Sequence, residues 1–150
     1  MLKKIIILIA VYTLSAGLHA YDDISGVQYI RNYDGDTITF TVPYWPKIIG
    51  DKIPIRINGI DTPEMRDKDP EVKRLAKQAK RYLQRQLETC DDIILKSPKR
   101  GKYFRIIADV YCDENNVADL LLEKGYARPY NGEKKMQWIV TPGTDIWHSN

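Results

Sequence analysis

The chain has 150 residues, with 23 Lys and Arg against 20 Asp and Glu and only two cysteines and two histidines. That length sets one domain as the default. A formal charge of +3 does not by itself indicate nucleic acid, so any basic surface must be local. Two cysteines are too few for a zinc cluster, and His19 and His148 lie near the two ends, which argues against imidazole chemistry.

Residues 1–20, MLKKIIILIAVYTLSAGLHA, carry two lysines, an apolar run from Ile5 and a small residue at Ala20. This is the layout of a secretory signal. A single membrane anchor is the alternative, although the run is short for a span of ~20 residues. Lys3 and Lys4 leave with such a leader and no acid does, so 21 basic residues then face 20 acidic ones. The domain is expected at 21–150, in the periplasm or the medium, with no lasting hold on the membrane.

GVQYIRNY (26–33) reads as a strand, and DTITFTV (36–42) as a half-buried one, with Ile38, Phe40 and Val42 alternating against threonines. Asp34-Gly35-Asp36 makes a tight turn between them. PYWPKIIGD (43–51) is a loop. KIPIRINGI (52–60) alternates Ile53, Ile55 and Ile57 against Pro54, Arg56 and Asn58, and Pro54 indicates an edge or a bulge. Asp61 and Glu64 follow directly.

The period then changes. Asp69 can cap a helix with Pro70 in its first turn, and Val72, Leu75, Ala76, Ala79, Leu83 and Leu87 follow at helical spacing. DIILK (92–96) is a short strand, SPKRGK (97–102) a turn-rich connector, and YFRIIADVYC (103–112) a strand with Phe104, Ile106, Ala108 and Val110 inward. A last helix starts near Asn115 or Asn116, carries Val117, Leu120 and Leu121, and stops at Gly125. The stretch from Met136 is unpatterned and is expected to be loose or packed down. Three strands, a helix, two strands and a helix give an α+β chain laid out as a five-stranded OB-fold barrel with two to three helices. Another α+β domain is the alternative. About 130 residues suffice for one such core.

If 92–96 pairs with 103–112 so that Lys96 lies near Ile106, the same register sets Cys90 opposite Cys112, within reach of a disulfide. Export would permit that bond.

With imidazole and thiolate chemistry set aside, carboxylates, arginines and lysines remain. Hard oxygen ligands select Ca²⁺ or Mg²⁺, and the guanidinium fork suits phosphate. Taken singly, each candidate has a plain explanation. Asp-Gly is a common hairpin turn, Arg56 and Arg105 are strand-surface charges, and Asp61 and Glu64 belong to an acidic loop. Together they sit at strand ends, which a barrel of this order can bring to one rim. Lys96, Lys99, Arg100 and Lys102 crowd the connector nearby and could guide a nucleic acid backbone.

YDGDTITF, IRINGIDTPE, KYFR and NNVADLLLEKGYARPY, in that order and spacing, resemble the staphylococcal-nuclease family, also called thermonucleases, from about Val27 to Tyr130. The resemblance implies an OB barrel with added helices and Ca²⁺-dependent hydrolysis of DNA and RNA with little sequence preference, leaving 3′-phosphate ends. It implies that Asp36, Asp61 and the backbone carbonyl of Thr62 hold the ion, with Asp34 supporting them from behind. Glu64 would position or deprotonate water, Arg56 and Arg105 would grip the phosphate, and Lys102 and Tyr103 would flank the nucleotide. Tyr130 would stack on a base, and the protein would act as a monomer. A non-catalytic nucleic-acid-binding OB module is the alternative, but such a module would be expected to have lost part of this set. The family usually has Asp-Lys-Tyr-Gly-Arg where this chain has Gly101-Lys102-Tyr103-Phe104-Arg105, so the turn must be remodelled.

Overall fold

Alternation of branched apolar and polar residues builds the sheet. The computed structural model describes residues 21–102 and 105–140, so the expected leader at 1–20, Tyr103, Phe104 and the tail from 141 on lie outside the described residues. Strands β1 (Gln28–Asn32), β2 (Thr37–Thr41) and β3 (Ile53–Ile57) form an antiparallel meander, interrupted by a single turn of helix, α1 (Lys47–Gly50), inside the expected loop. The two-residue strand β4 (Ile60–Asp61) follows, then the long helix α2 (Pro70–Glu88), β5 (Ile93–Arg100) and β6 (Ile106–Cys112). A short β7 (Asn115–Asn116), α3 (Val117–Glu123) and β8 (Arg128–Pro129) complete the order.

The main sheet runs β1-β2-β3-β6-β5, with β3 and β6 parallel and the other pairs antiparallel. Ile24, four residues before β1, exchanges two backbone hydrogen bonds of 2.9 Å with Leu95 of β5. The two ends of the strand order are thereby drawn together, and the sheet curls into the OB-like half-barrel expected for an α+β chain with three helices. Among the described residues no helix is long and apolar enough to cross a membrane.

The inward alternation holds for most positions, although Ile53 and Ile106 are only half-buried and Phe104 is outside the described residues. Ile38, Phe40, Val42, Ile55, Ile57, Ala108 and Val110 are buried, as is the whole expected stripe of α2. Each fully buried aliphatic side chain stabilises the fold by ~1.5–3 kcal/mol. Asp69 caps α2 by accepting from the Glu71 N–H at 2.8 Å, and Asn116 caps α3 through the Ala118 N–H at 2.9 Å. Gly125 follows α3 at φ +68°, the left-handed conformation that glycine adopts most easily.

Three local expectations need correction. Pro54 lies in a central strand, not at the sheet edge. It is accommodated because β6 pairs with β3 only from Ile55 onward, leaving Pro54 with a neighbour on one side alone. The connector at 97–102 is mostly strand, since a bulge between Lys96 and Lys99 absorbs Ser97 at φ +48° and lets β5 run on to Arg100. The hairpin register is also shifted, because Lys96 pairs with Asp109 and Cys112 with Ile93. The Cys90–Cys112 disulfide nevertheless forms, with a Cα–Cα distance of 5.5 Å. Cys90 reaches Cys112 from the turn after α2 and not from the strand.

Candidate active site

The turn at Asp34-Gly35-Asp36 is rigid. Asp34 Oδ1 accepts from the backbone N–H groups of Asp36 (3.1 Å) and Thr37 (2.8 Å). Asn32 donates to the Asp34 carbonyl at 2.8 Å and to the Lys80 carbonyl at 3.0 Å, tying the turn to α2. Gly35 is required by close approach, since a Cβ there would lie 2.9 Å from Thr62 Cγ2 and 3.0 Å from Ala79 Cβ. Asp36 is thus held against the Asp61-Thr62 segment.

Both acids are buried. Asp36 Oδ1 accepts from Arg56 Nη1 at 2.6 Å and from the Thr37 hydroxyl at 3.1 Å, and Oδ2 accepts from the Thr62 N–H at 3.2 Å. Burial foremost, then the Asp34 charge, raises the Asp36 carboxyl from 3.8 to about 6, against the opposing pull of Arg56. Arg56 Nη2 donates to the Ile60 carbonyl at 3.1 Å and lies 3.7 Å from Asp61 Oδ1, so one guanidinium spans both carboxylates. Its carbon sits 5.9 Å from the centre of the Tyr130 ring.

Asp61 is placed by β4, which pairs with β8 so that Asp61 faces Arg128. Arg128 donates to Asp61 Oδ2 from Nε (3.2 Å) and Nη2 (2.8 Å), and the Trp138 indole N–H adds a third bond at 3.2 Å. The guanidinium also lies 4.5 Å from the Trp138 ring centre. Asp61 Oδ1 is buried and accepts no aligned hydrogen bond. The Lys135 ammonium stands 2.7 Å from it, as a contact of charges, and 2.8 Å from Glu64 Oε1. Burial works to lower the Lys135 pKa, but the Asp61 and Glu64 carboxylates outweigh it and hold the group above its ordinary value.

These residues border one cleft of about 540 Å³. Asp34, Asp36, Arg56, Glu64, Lys102, Arg105 and Tyr130 all line it, and Asp61 and Thr62 lie buried in the adjoining segment. Tyr103 is outside the described residues. The remodelled hairpin is tight: Gly101 N–H donates to the Arg105 carbonyl at 2.7 Å and Arg105 N–H to the Lys102 carbonyl at 3.2 Å. A Cβ at Gly101 would meet Ile107 Cδ1 at 2.7 Å, so glycine here makes room for the Ile107 side chain crossing beneath it. Arg105 precedes β6 and does not belong to it. The basic cluster of the connector does not form one patch. Lys102 faces the cleft, Lys99 and Arg100 border a separate hollow of about 380 Å³ with Tyr44 and Trp45, and Lys96 lies 3.9 Å from the Tyr111 ring centre. The bulge and the alternation of strand side chains send these neighbours to different faces.

Among the described residues no group of three or more His, Cys, Asp and Glu side chains is arranged to hold a metal. The oxygens available are nevertheless of the hard type that Ca²⁺ prefers, and Asp61 Oδ1 is a buried carboxylate oxygen lacking a hydrogen bond. The donor set fits a divalent ion by its chemistry, while a lysine ammonium stands against its best oxygen.

Arg128, Lys135 and Trp138 were not picked out from the sequence. A charged residue between Ala127 and Pro129, just past the Gly125 stop, is the signal for Arg128. Lys135 and Trp138 sit in a stretch without periodicity, which gave no signal.

The family described as staphylococcal nuclease homologue matches residues 54–138, more than half of the chain. An uncharacterized protein of Bacillus anthracis is 30% identical over 95 residues, covering 62% of this chain and 42% of that relative. The chain therefore spans less than half the length of that relative. The matched segment runs from β3 to Trp138 and so contains Arg56, Asp61, Glu64, Arg105 and Arg128; on that match the chain belongs to the staphylococcal nuclease homologue family.

Proposed function

We propose that this protein is an exported, calcium-dependent nuclease that hydrolyses phosphodiester bonds of DNA or RNA with little sequence preference and leaves 3′-phosphate ends. The observation that carries the reading is the meeting of Arg56, Arg105 and Glu64 in one cleft, beside two buried carboxylates linked by Arg56. Asp36, Asp61 and the Thr62 carbonyl would hold Ca²⁺. Bound there, the ion supplies positive charge against the phosphate oxygens.

Arg56 and Arg105 engage those oxygens and neutralise charge that grows as phosphorus becomes five-coordinate. Glu64 takes a proton from water as the water oxygen bonds to phosphorus, and the P–O5′ bond breaks, the departing 5′ oxygen of the next nucleotide taking up a proton from solvent. Lys102 meets the backbone, and Tyr130 offers a ring to the base. Stacking of this kind tolerates any sequence because every base has a π-face. The protein acts as a monomer and, once its leader is removed, keeps no stable hold on the membrane.

The direct assay is digestion of single- and double-stranded DNA and RNA by the purified protein, with Ca²⁺ and with chelator. We expect cleavage of at least one substrate with Ca²⁺ and none with chelator. Binding without cleavage under every condition would assign the chain to the non-catalytic OB modules.

A further inference from the structure

The segment after β8 is a strap pinned at both ends across the cleft. At its start the Tyr130 N–H donates to the Gly59 carbonyl at 2.8 Å. At its end Trp138 and Val140 are buried against Val72 and Leu75 of α2. Arg128 reaches under it, donating to the Met136 carbonyl and, at 3.4 Å, to the Gln137 carbonyl. Between the pins, residues 131–137 are exposed, and the side chain of Lys135 turns back to touch both Asp61 and Glu64.

The charges around Asp61 explain the contact. Arg128 and Trp138 occupy its Oδ2. Arg56 stands 3.7 Å from Oδ1, with its shorter bond made to Asp36. A buried carboxylate oxygen left without a partner is costly, and the only cation within 3 Å of Oδ1 among the described residues is Lys135. The same ammonium also occupies Glu64 Oε1, at 2.8 Å.

We propose that Lys135 is a tethered cation: it stands in for the ion at Asp61 while pairing with Glu64 in the metal-free protein, and is exchanged for a divalent ion on loading. This rests on the calcium reading of the site given above. Exchange frees Glu64 at the moment the ion arrives, so water activation and ion binding are coupled through one side chain. The strap need not unfold for this, because Lys135 has a long, 43% exposed side chain that can swing into solvent.

The test is calcium titration of the full chain by calorimetry, with thermal melting in chelator and in Ca²⁺, for the wild type, Lys135→Met and Lys134→Ala. A competitor that is in place most of the time lowers apparent affinity by the fraction of molecules left open. Lys135→Met should therefore bind Ca²⁺ about tenfold more tightly, whereas Lys134→Ala, which removes the same charge from the same strap, should change affinity far less. Lys135→Met should also melt lower than wild type in chelator and recover in Ca²⁺. Equal or weaker Ca²⁺ binding by Lys135→Met, or an equal gain from Lys134→Ala, overturns the exchange while leaving the calcium reading standing. Absence of Ca²⁺ binding in all three proteins overturns both.

Discussion

Glu64 and Asp36 show how differently two carboxylates can be placed in one cleft. Glu64 is exposed and pairs with Lys135, so exchanging its carboxylate for an amide disturbs no core contact. We expect Glu64→Gln to melt as the wild type does and to lose about 10²–10⁴-fold in cleavage rate, the usual worth of a positioned base. An unimpaired variant ends that assignment. Asp36 is buried, and its carboxyl rises from 3.8 to about 6. Between those two pH values the folded chain holds a proton that the unfolded chain has released. Stability from this group is therefore fully present below about pH 4 and falls as pH rises to about 6. Thermal melts from pH 4 to 7 should show that slope in the wild type, and its absence in Asp36→Asn gives the contribution by difference.

At the scale of elements, the two-residue pair β4–β8 matters more than its size indicates. It sets Arg128 opposite Asp61, where both side chains are almost wholly enclosed. Removing one member of a buried ion pair costs about 3–5 kcal/mol because the other charge stays buried. Arg56 and Lys135 remain near Asp61, so Arg128→Met should cost about 3 kcal/mol, the lower end of that range, in a urea melt. A loss below ~1 kcal/mol would show that the remaining cations suffice. The hairpin at Gly101–Arg105 makes the opposite point. Its departure from the family pattern is legible in sequence, but its consequence is not: a Cβ at position 101 would press on the end of the Ile107 side chain, a contact set by β5–β6 pairing.

For the whole molecule, the Cys90–Cys112 bond closes a loop with a sequence separation of 22 residues, joining the end of α2 to β6. Chain-entropy reasoning gives such a loop about 3 kcal/mol. Reduction, or replacement of both cysteines by serine, should lower the melting temperature by about 10 °C without abolishing cleavage, since the bond lies on strand β6 at the end far from Ile106 and the cleft. Equal melting of oxidised and reduced protein would remove the disulfide from the account of stability.

Much of this architecture was legible because local rules and the final packing agree. The apolar stripe of α2, the Asp69 cap and the inward alternation of β2 each follow from residue type and period, whereas the choice of Asn116 over Asn115 as the α3 cap came from the structure. The carboxylates and arginines were legible as a set of motifs, since order and spacing along the chain carry the resemblance. Only the tertiary structure decided the partners of Asp61. Arg128, Lys135 and Trp138 lie 67 to 77 residues away in sequence and come from a stretch with no period to read. Their meeting depends on β8 pairing with β4 and on Trp138 docking against α2, and long-range contacts of that kind leave no local trace. The register of the last hairpin was hidden for a related reason: the tight turn closed by Gly101 and Arg105 pairs Arg100 with Ile106, and the bulge between Lys96 and Lys99 shifts the rest of the ladder by one residue.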